Sequence, residues 1–159
     1  MSYPLDPIQS LIAGPPLGFR FSVFFFFGGD IPNPLDTRFK KVSGIGSSVS
    51  TRALNEGGQN LFTQLLPDKV QYEKLVLERG LAVGSPLAVE LNVTMSLFEF
   101  NPSNVLVSLL DESGLAINSW LFLTAFPVKW TISPLDADLN QAVIETLELS
   151  FQRMQSIRL

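Results

Sequence analysis

Apolar positions along the chain recur mostly at the spacing of a strand and change once to that of a helix. The densest strand-like run, Ile117–Phe126, leads into the stretch Trp120–Phe151 around which the rest is organised. Both of its alternating faces are largely apolar. Ile117, Leu121, Leu123 and Ala125 fall on one, and Trp120, Phe122 and Phe126 on the other. An antiparallel strand in a lone sandwich or barrel normally shows water one face. A strand that shows water neither needs a helix, or a second copy of the protein, over the other. Pro127 is expected to break the run, Val128–Ile132 to continue it, and Pro134–Asn140 to turn the chain. The returning run Ala142–Phe151 fits two patterns. Val143, Leu147, Leu149 and Phe151 suit a strand with Glu145 as the exception, while Ile144, Leu147, Phe151 and Met154 suit a helix.

Earlier in the chain, Gly18–Phe27 reads GFRFSVFFFF, with Arg20 and Ser22 alternating against Phe19, Phe21 and Val23 before it turns wholly aromatic. Such a run is more often a strand covered on both faces than an exposed partner patch. Gly28–Asp36 carries a glycine pair and two prolines and reads as loop. Thr37–Val42 and Ile45–Leu54 read as a strand pair across Ser43 and Gly44, with Ser48, Ser50 and Arg52 opposite Val49, Thr51 and Ala53. Asn55–Gln71 reads as a long irregular excursion. Gly57 and Gly58 are not a phosphate cradle, because the Walker pattern is absent and no helix follows. Lys74–Leu81 is a strand with Leu75, Leu77 and Leu81 inward and Lys74 and Glu78 outward.

The period then changes. Ser85 followed by Pro86 starts a helix over about 85–98, and Leu87, Leu91, Met95 and Phe98 form its apolar stripe. Asn101 and Pro102 are expected to end it. Val105–Leu110 and Leu115–Phe126 make a hairpin around Asp111, Glu112, Ser113 and Gly114.

Composition narrows the function. Of 159 residues, 16% are charged and 46% hydrophobic, against about 25% charged in an ordinary soluble domain. No apolar run approaches the roughly 18 residues of a membrane helix. Surface buried between subunits remains as the explanation, because interfaces lose charge and gain aromatics. The chain has no cysteine or histidine, which removes disulfides, thiol chemistry, the usual zinc ligands and the usual general base. A net charge of −4 argues against a nucleic-acid surface. Asp136 with Asp138, and Asp111 with Glu112, lack calcium-loop spacing and read as solvated turn acids. No catalytic residue, metal or cofactor is expected. Residues 1–17 read as a proline-rich arm with no secretory signal, and 18–159 as one domain with an interaction loop at 55–71.

An ordered series of segments then resembles the tail-tube proteins of contractile phage tails and extracellular contractile injection systems. It comprises FRFSV at Phe19–Val23, KVSGIGSSVS at Lys41–Ser50, NEGGQN at Asn55–Asn60, LP at Leu66–Pro67 and LVLERGL at Leu75–Leu81. It continues with VSLLDESG at Val107–Gly114, the Trp120–Trp130 stretch, and LDADLNQAVIETLELSF at Leu135–Phe151. The resemblance implies a mainly β fold, an antiparallel barrel or sandwich with one flanking helix, that closes into a hexameric ring and stacks into a tube. It tips Ala142–Phe151 towards strand. The implied partners are further copies of the chain, a sheath protein, a baseplate hub, spike or adaptor, and cargo in the lumen. The implied place of work is an extracellular particle or virion assembled from protein made in the cytoplasm.

On this reading Asn55, Glu56, Gly57, Gly58, Leu61, Phe62, Leu65 and Leu66 belong to the contact between rings. Four large apolar side chains in a loop otherwise have to fold back as a lid on their own barrel. Phe24, Phe26, Trp120, Phe122, Phe126 and Trp130 mark strands joined between subunits, and Ser48, Ser50, Glu78 and Glu148 are candidates for a polar, acidic lumen. The helix start lacks the tryptophan expected of the family, and Gly28–Asp36 is longer and more apolar than usual. These departures leave open a ring that initiates the tube on the baseplate. A small-ligand-binding barrel is the alternative from another class.

Overall fold

The computed structural model describes residues 18, 20–26, 28, 38–58 and 61–158. The expected arm at 1–17 and most of the loop at 28–36 lie outside them, as do Phe19, Phe27, Gln59 and Asn60. The described strands are β1 (Phe21–Phe26), β2 (Lys41–Ser43), β3 (Ser47–Leu54), β4 (Gln64–Tyr72), β5 (Leu75–Gly80), β6 (Ser103–Leu110), β7 (Ala116–Ile132), β8 (Ile144–Ser150) and β9 (Arg153–Arg158). One helix, α1 (Pro86–Leu97), lies between β5 and β6. The fold is mainly β and antiparallel, as expected.

Seven of the strands form one sheet, built around β7. The first half of β7 pairs with β6 on one edge and β9 on the other, and its second half pairs with β8. This gives two wings that share a strand: β1–β6–β7–β9, and β7–β8–β5–β2. The run Ala142–Phe151 is strand over Ile144–Ser150, and β9 carries the same pairing register onward. Pro127 does not break β7. The last β6 partner is Ala125, so β7 already has an open edge where the proline sits, and a missing N–H there need break no ladder bond. The register to β8 instead slips between Pro127 and Lys129.

An irregularity at Thr124, which has φ 55°, also overturns the simple alternation expected for this strand. Phe122 and Ala125, three apart, are both buried in the same core, whereas Ile117 is exposed. The core draws Val23 and Phe25 from β1, Val105 and Val107 from β6, Leu75 and Leu77 from β5, and Leu147 and Leu149 from β8. Phe122 and Phe151 meet edge to face with ring centroids 4.8 Å apart.

The helix joins that core with Leu87 and Leu91. Its start is as expected: Pro86 occupies the first turn, and the Ser85 hydroxyl accepts from the Ala88 N–H at 3.0 Å. Its stripe is not. Leu87, Leu91 and Thr94 are buried, while Met95 is 46% and Phe98 83% exposed. The helix also stops earlier than Asn101–Pro102. Phe98 adopts a left-handed cap (φ 56°), and its N–H returns to the Thr94 carbonyl at 3.1 Å.

Two further expectations fail. β2 does not pair with β3 across Ser43 and Gly44; it pairs with β5. In β5, Leu81 is not inward: it lies past the strand end and is exposed, and the third inward position is Arg79.

Candidate assembly surfaces

β3 and β4 form a two-stranded ribbon joined to no other described strand. This corrects the reading of Asn55–Gln71 as an irregular loop: Gln64–Gln71 belongs to β4, and the tip spans residues 55–63. The ribbon is rooted where β2 ends and β5 begins. Gly44 makes that root possible, with φ +82° and so close an approach that a Cβ would overlap the Lys74 carbonyl. Tyr72 packs on Phe151, centroids 5.3 Å apart, and fixes the base. The Ser50 hydroxyl, at an irregularity between Val49 and Thr51, donates to the Lys69 carbonyl and accepts from its N–H.

Beyond the base the ribbon is bare. Leu61 is 97%, Leu65 65% and Phe62 61% exposed, and Asn55, Glu56, Gly57, Gly58 and Leu66 are also exposed. These side chains do not fold back as a lid. A two-stranded hairpin is marginal in water by itself, and beyond its anchored base this ribbon pairs with no other described strand.

The lumen candidates separate. Glu78 and Glu148 share the face of the second wing opposite the core, but Ser48 and Ser50 sit on the ribbon. Nor is that face acidic. Lys41 meets Glu78 at 3.3 Å, and Glu148 takes Lys129 at 3.3 Å and Lys74 at 3.9 Å, so three lysines answer two carboxylates.

The residues expected on joined strands also divide. Phe122 is fully buried in its own subunit, so its ring is not available to a neighbour. Phe24, Phe26, Trp120, Phe126 and Trp130 are half-buried. Phe126 packs edge to face on Phe100, and Phe100 on the exposed Phe98. Trp130 is held by a buried group that pattern reading missed. The Arg79 guanidinium donates to Glu145 at 2.7 Å and to the Ser85 hydroxyl at 2.8 Å, and the Trp130 indole N–H donates to the other Glu145 oxygen at 2.7 Å. Arg79 also lies 5.6 Å over the Phe39 ring. The signal was present in the sequence as one charge at an inward position on each of two strands, Arg79 and Glu145, which β5–β8 pairing places opposite each other.

The antiparallel sheet with its one helix and its ribbon is a fold shared with chains of solved contractile-injection assemblies. The chain belongs to the T4-like virus tail tube protein gp19 family, whose model matches residues 17–155. It is 36% identical to a chain in the cryo-EM structure of the anti-feeding prophage (AFP) baseplate, 6-fold symmetrised, with a TM-score of 0.83, covering 91% of this chain and 97% of that one. A chain of the PVC extracellular contractile injection system sheath–tube complex in the extended state has the same fold at 23% identity and TM-score 0.77, over 98% and 100% of the two chains. So does a chain in the AFP tube-terminating cap, at 24% identity and TM-score 0.75, over 92% and 93%. None of the curated proteins matches the chain. The protein is thus a tube- or baseplate-associated structural component of the contractile-tail class.

Proposed function

We propose that the chain forms hexameric rings that stack into the inner tube of a contractile injection particle. The tube lies inside a sheath, is joined to a baseplate hub and spike, and is driven through a target envelope. The observation that carries this reading is the second wing of the sheet. Among the described residues, the second half of β7 pairs only with β8 and β2 pairs only with β5, so the wing β7–β8–β5–β2 ends in two open edges. Open edges invite another strand. Joining β7 of one copy to β2 of the next repeats head to tail, and a rotation that returns to its start closes the series into a ring. The 6-fold symmetry of the 36%-identical relative's assembly supports six copies. The role is mechanical and needs no reaction. Native mass spectrometry and electron microscopy of the purified protein test it: hexameric rings are expected, and a soluble monomer at high concentration would overturn it.

A second reading is the ring that starts the tube on the baseplate. One observation favours it. Two chains of the same AFP particle match this one at 36% (baseplate) and 24% (cap), values too far apart to come from one sequence aligned over similar lengths. The larger identity belongs to the baseplate chain. Band intensities on a gel of purified particles separate the readings: a repeated ring gives the most abundant small band, an initiator six or a few more copies per particle.

A further inference from the structure

The ribbon and a groove occupy opposite ends of one sheet. In the wing β7–β8–β5–β2, Leu75 pairs with Leu149 at the end from which the ribbon leaves, and Gly80 pairs with Ile144 at the far end. At that far end the chain between β7 and β8 forms a closed loop. Its neck is tied by the Ser133 N–H to the Ile144 carbonyl at 2.8 Å and by the Ile144 N–H to the Ser133 hydroxyl at 2.9 Å. The loop holds itself in shape from within: Asp138 N–H donates to the Asp136 carboxylate at 2.9 Å, and Gln141 N–H to the Leu139 carbonyl at 3.0 Å. It encloses a groove of about 660 Å³ lined by Leu135, Ala137, Leu139, Ala142 and Val143, with Asp136 at its wall. That volume falls within the range of about 300–1,000 Å³ typical of binding sites. Leu135 is 80% and Leu139 53% exposed, so the groove presents apolar side chains among polar ones and is open to water.

We propose that this groove receives the ribbon tip of a second copy of the chain, with Leu61 and Phe62 as the inserted side chains. The inference rests on the tube-ring reading above and names the surface on which one ring meets the next. Two observations identify the occupant. The ribbon exposes apolar side chains on a hairpin too slight to stand by itself in water, so it has surface to bury and a reason to bury it. The two features lie at opposite ends of one rigid wing, so a contact between them is heterologous and leaves a free ribbon at one end and a free groove at the other. A contact of that kind propagates along an axis when its rotation does not close on itself, which is what a tube requires. Charge permits the contact without selecting it: residues 133–143 carry Asp136 and Asp138 and no cation, and the outer ribbon exposes one charge of each sign, Glu56 at the tip and Arg52 opposite Leu66, of which Arg52 is the one able to meet them.

The chain has no cysteine, which permits a direct test. Full-length protein bearing Phe62→Cys is mixed with protein bearing Leu139→Cys under mild oxidation, after circular dichroism has verified that each variant is folded. Leu135→Cys is the second groove variant should Leu139→Cys not fold. A covalent dimer is expected in the mixture at least tenfold above either preparation alone. In parallel, Arg52→Glu is expected to shorten tubes and Asp138→Arg to restore them. Tubes that form without the mixed crosslink overturn the groove assignment and leave the ring reading standing. Hexameric rings that never stack on their own copies overturn it as well, and favour the baseplate-initiator reading. Monomers under all conditions overturn both the groove assignment and the ring reading.

Discussion

Single residues decide how rigidly the subunit is set. Arg79 and Glu145 are almost fully buried, with 6% and 3% of their side chains exposed. An ion pair of this kind adds little net stability over an apolar pair of similar volume, but removing one partner strands a buried charge at a cost of about 3–5 kcal/mol. Glu145→Ala is therefore expected to lose about that much in a urea titration, whereas Arg79→Met with Glu145→Leu should recover most of it. Gly44→Ala must place a Cβ against the Lys74 carbonyl at a positive φ. The φ penalty alone is about 1–2 kcal/mol, and a fall in the melting temperature larger than that penalty implies would register the clash. Asp111 is expected to give a pH effect. Its carboxylate accepts from the Ser113 hydroxyl at 2.7 Å and from the N–H groups of Ser113 and Leu115, and these bonds lower its pKa, the hydroxyl first. A lowered folded pKa means a contribution fully present above the unfolded value of about 3.9 and lost as pH falls through the folded one. Amide exchange at Ser113 and Leu115 should accelerate in that acid window, and Asp111→Asn should flatten the dependence.

Among the elements, the ribbon is the one whose surface exceeds what its own subunit can use. Replacing Leu61 with Ser and Phe62 with Asp removes exposed apolar surface and touches no core residue. The double variant is expected to melt within about 0.5 kcal/mol of the parent, as surface changes do, and to keep its rings while losing tubes under the electron microscope. Unfolding well below the parent temperature would place the tip in the core instead. The helix teaches a different lesson. Met95 and Phe98 have the spacing of its stripe, yet the left-handed cap at Phe98 turns the chain away before the last turn can pack, and Thr94 takes the buried place.

At the scale of the whole molecule, the proposed assembly would bury low-charge surface at the bare ribbon and along the open edges of the second wing. On the sheet face that carries Glu78 and Glu148, two of the lumen candidates, both carboxylates meet lysines, because strand pairing sets Lys41 against Glu78 and Lys129 against Glu148. Net composition gives the sum of charges over the chain. Which of them share a face depends on register.

The sequence by itself determined the mainly β class, the Ser85–Pro86 helix start, the hairpin at residues 111–114 and the family. Each rests on short-range chemistry: alternation, a capping hydroxyl, a turn, an ordered run of segments. Tertiary structure alone decided the rest. It joined β2 to β5 and freed β3 with β4 as a ribbon, because pairing is settled by which edges meet across the fold. It carried β7 through Pro127 because β6 had already left that edge, and it made an inward arginine acceptable by placing Glu145 opposite. Periodicity records which face a residue lies on. It does not record what lies across from that face, and here the partner across the sheet decided the pairing of β2 and the place of Arg79.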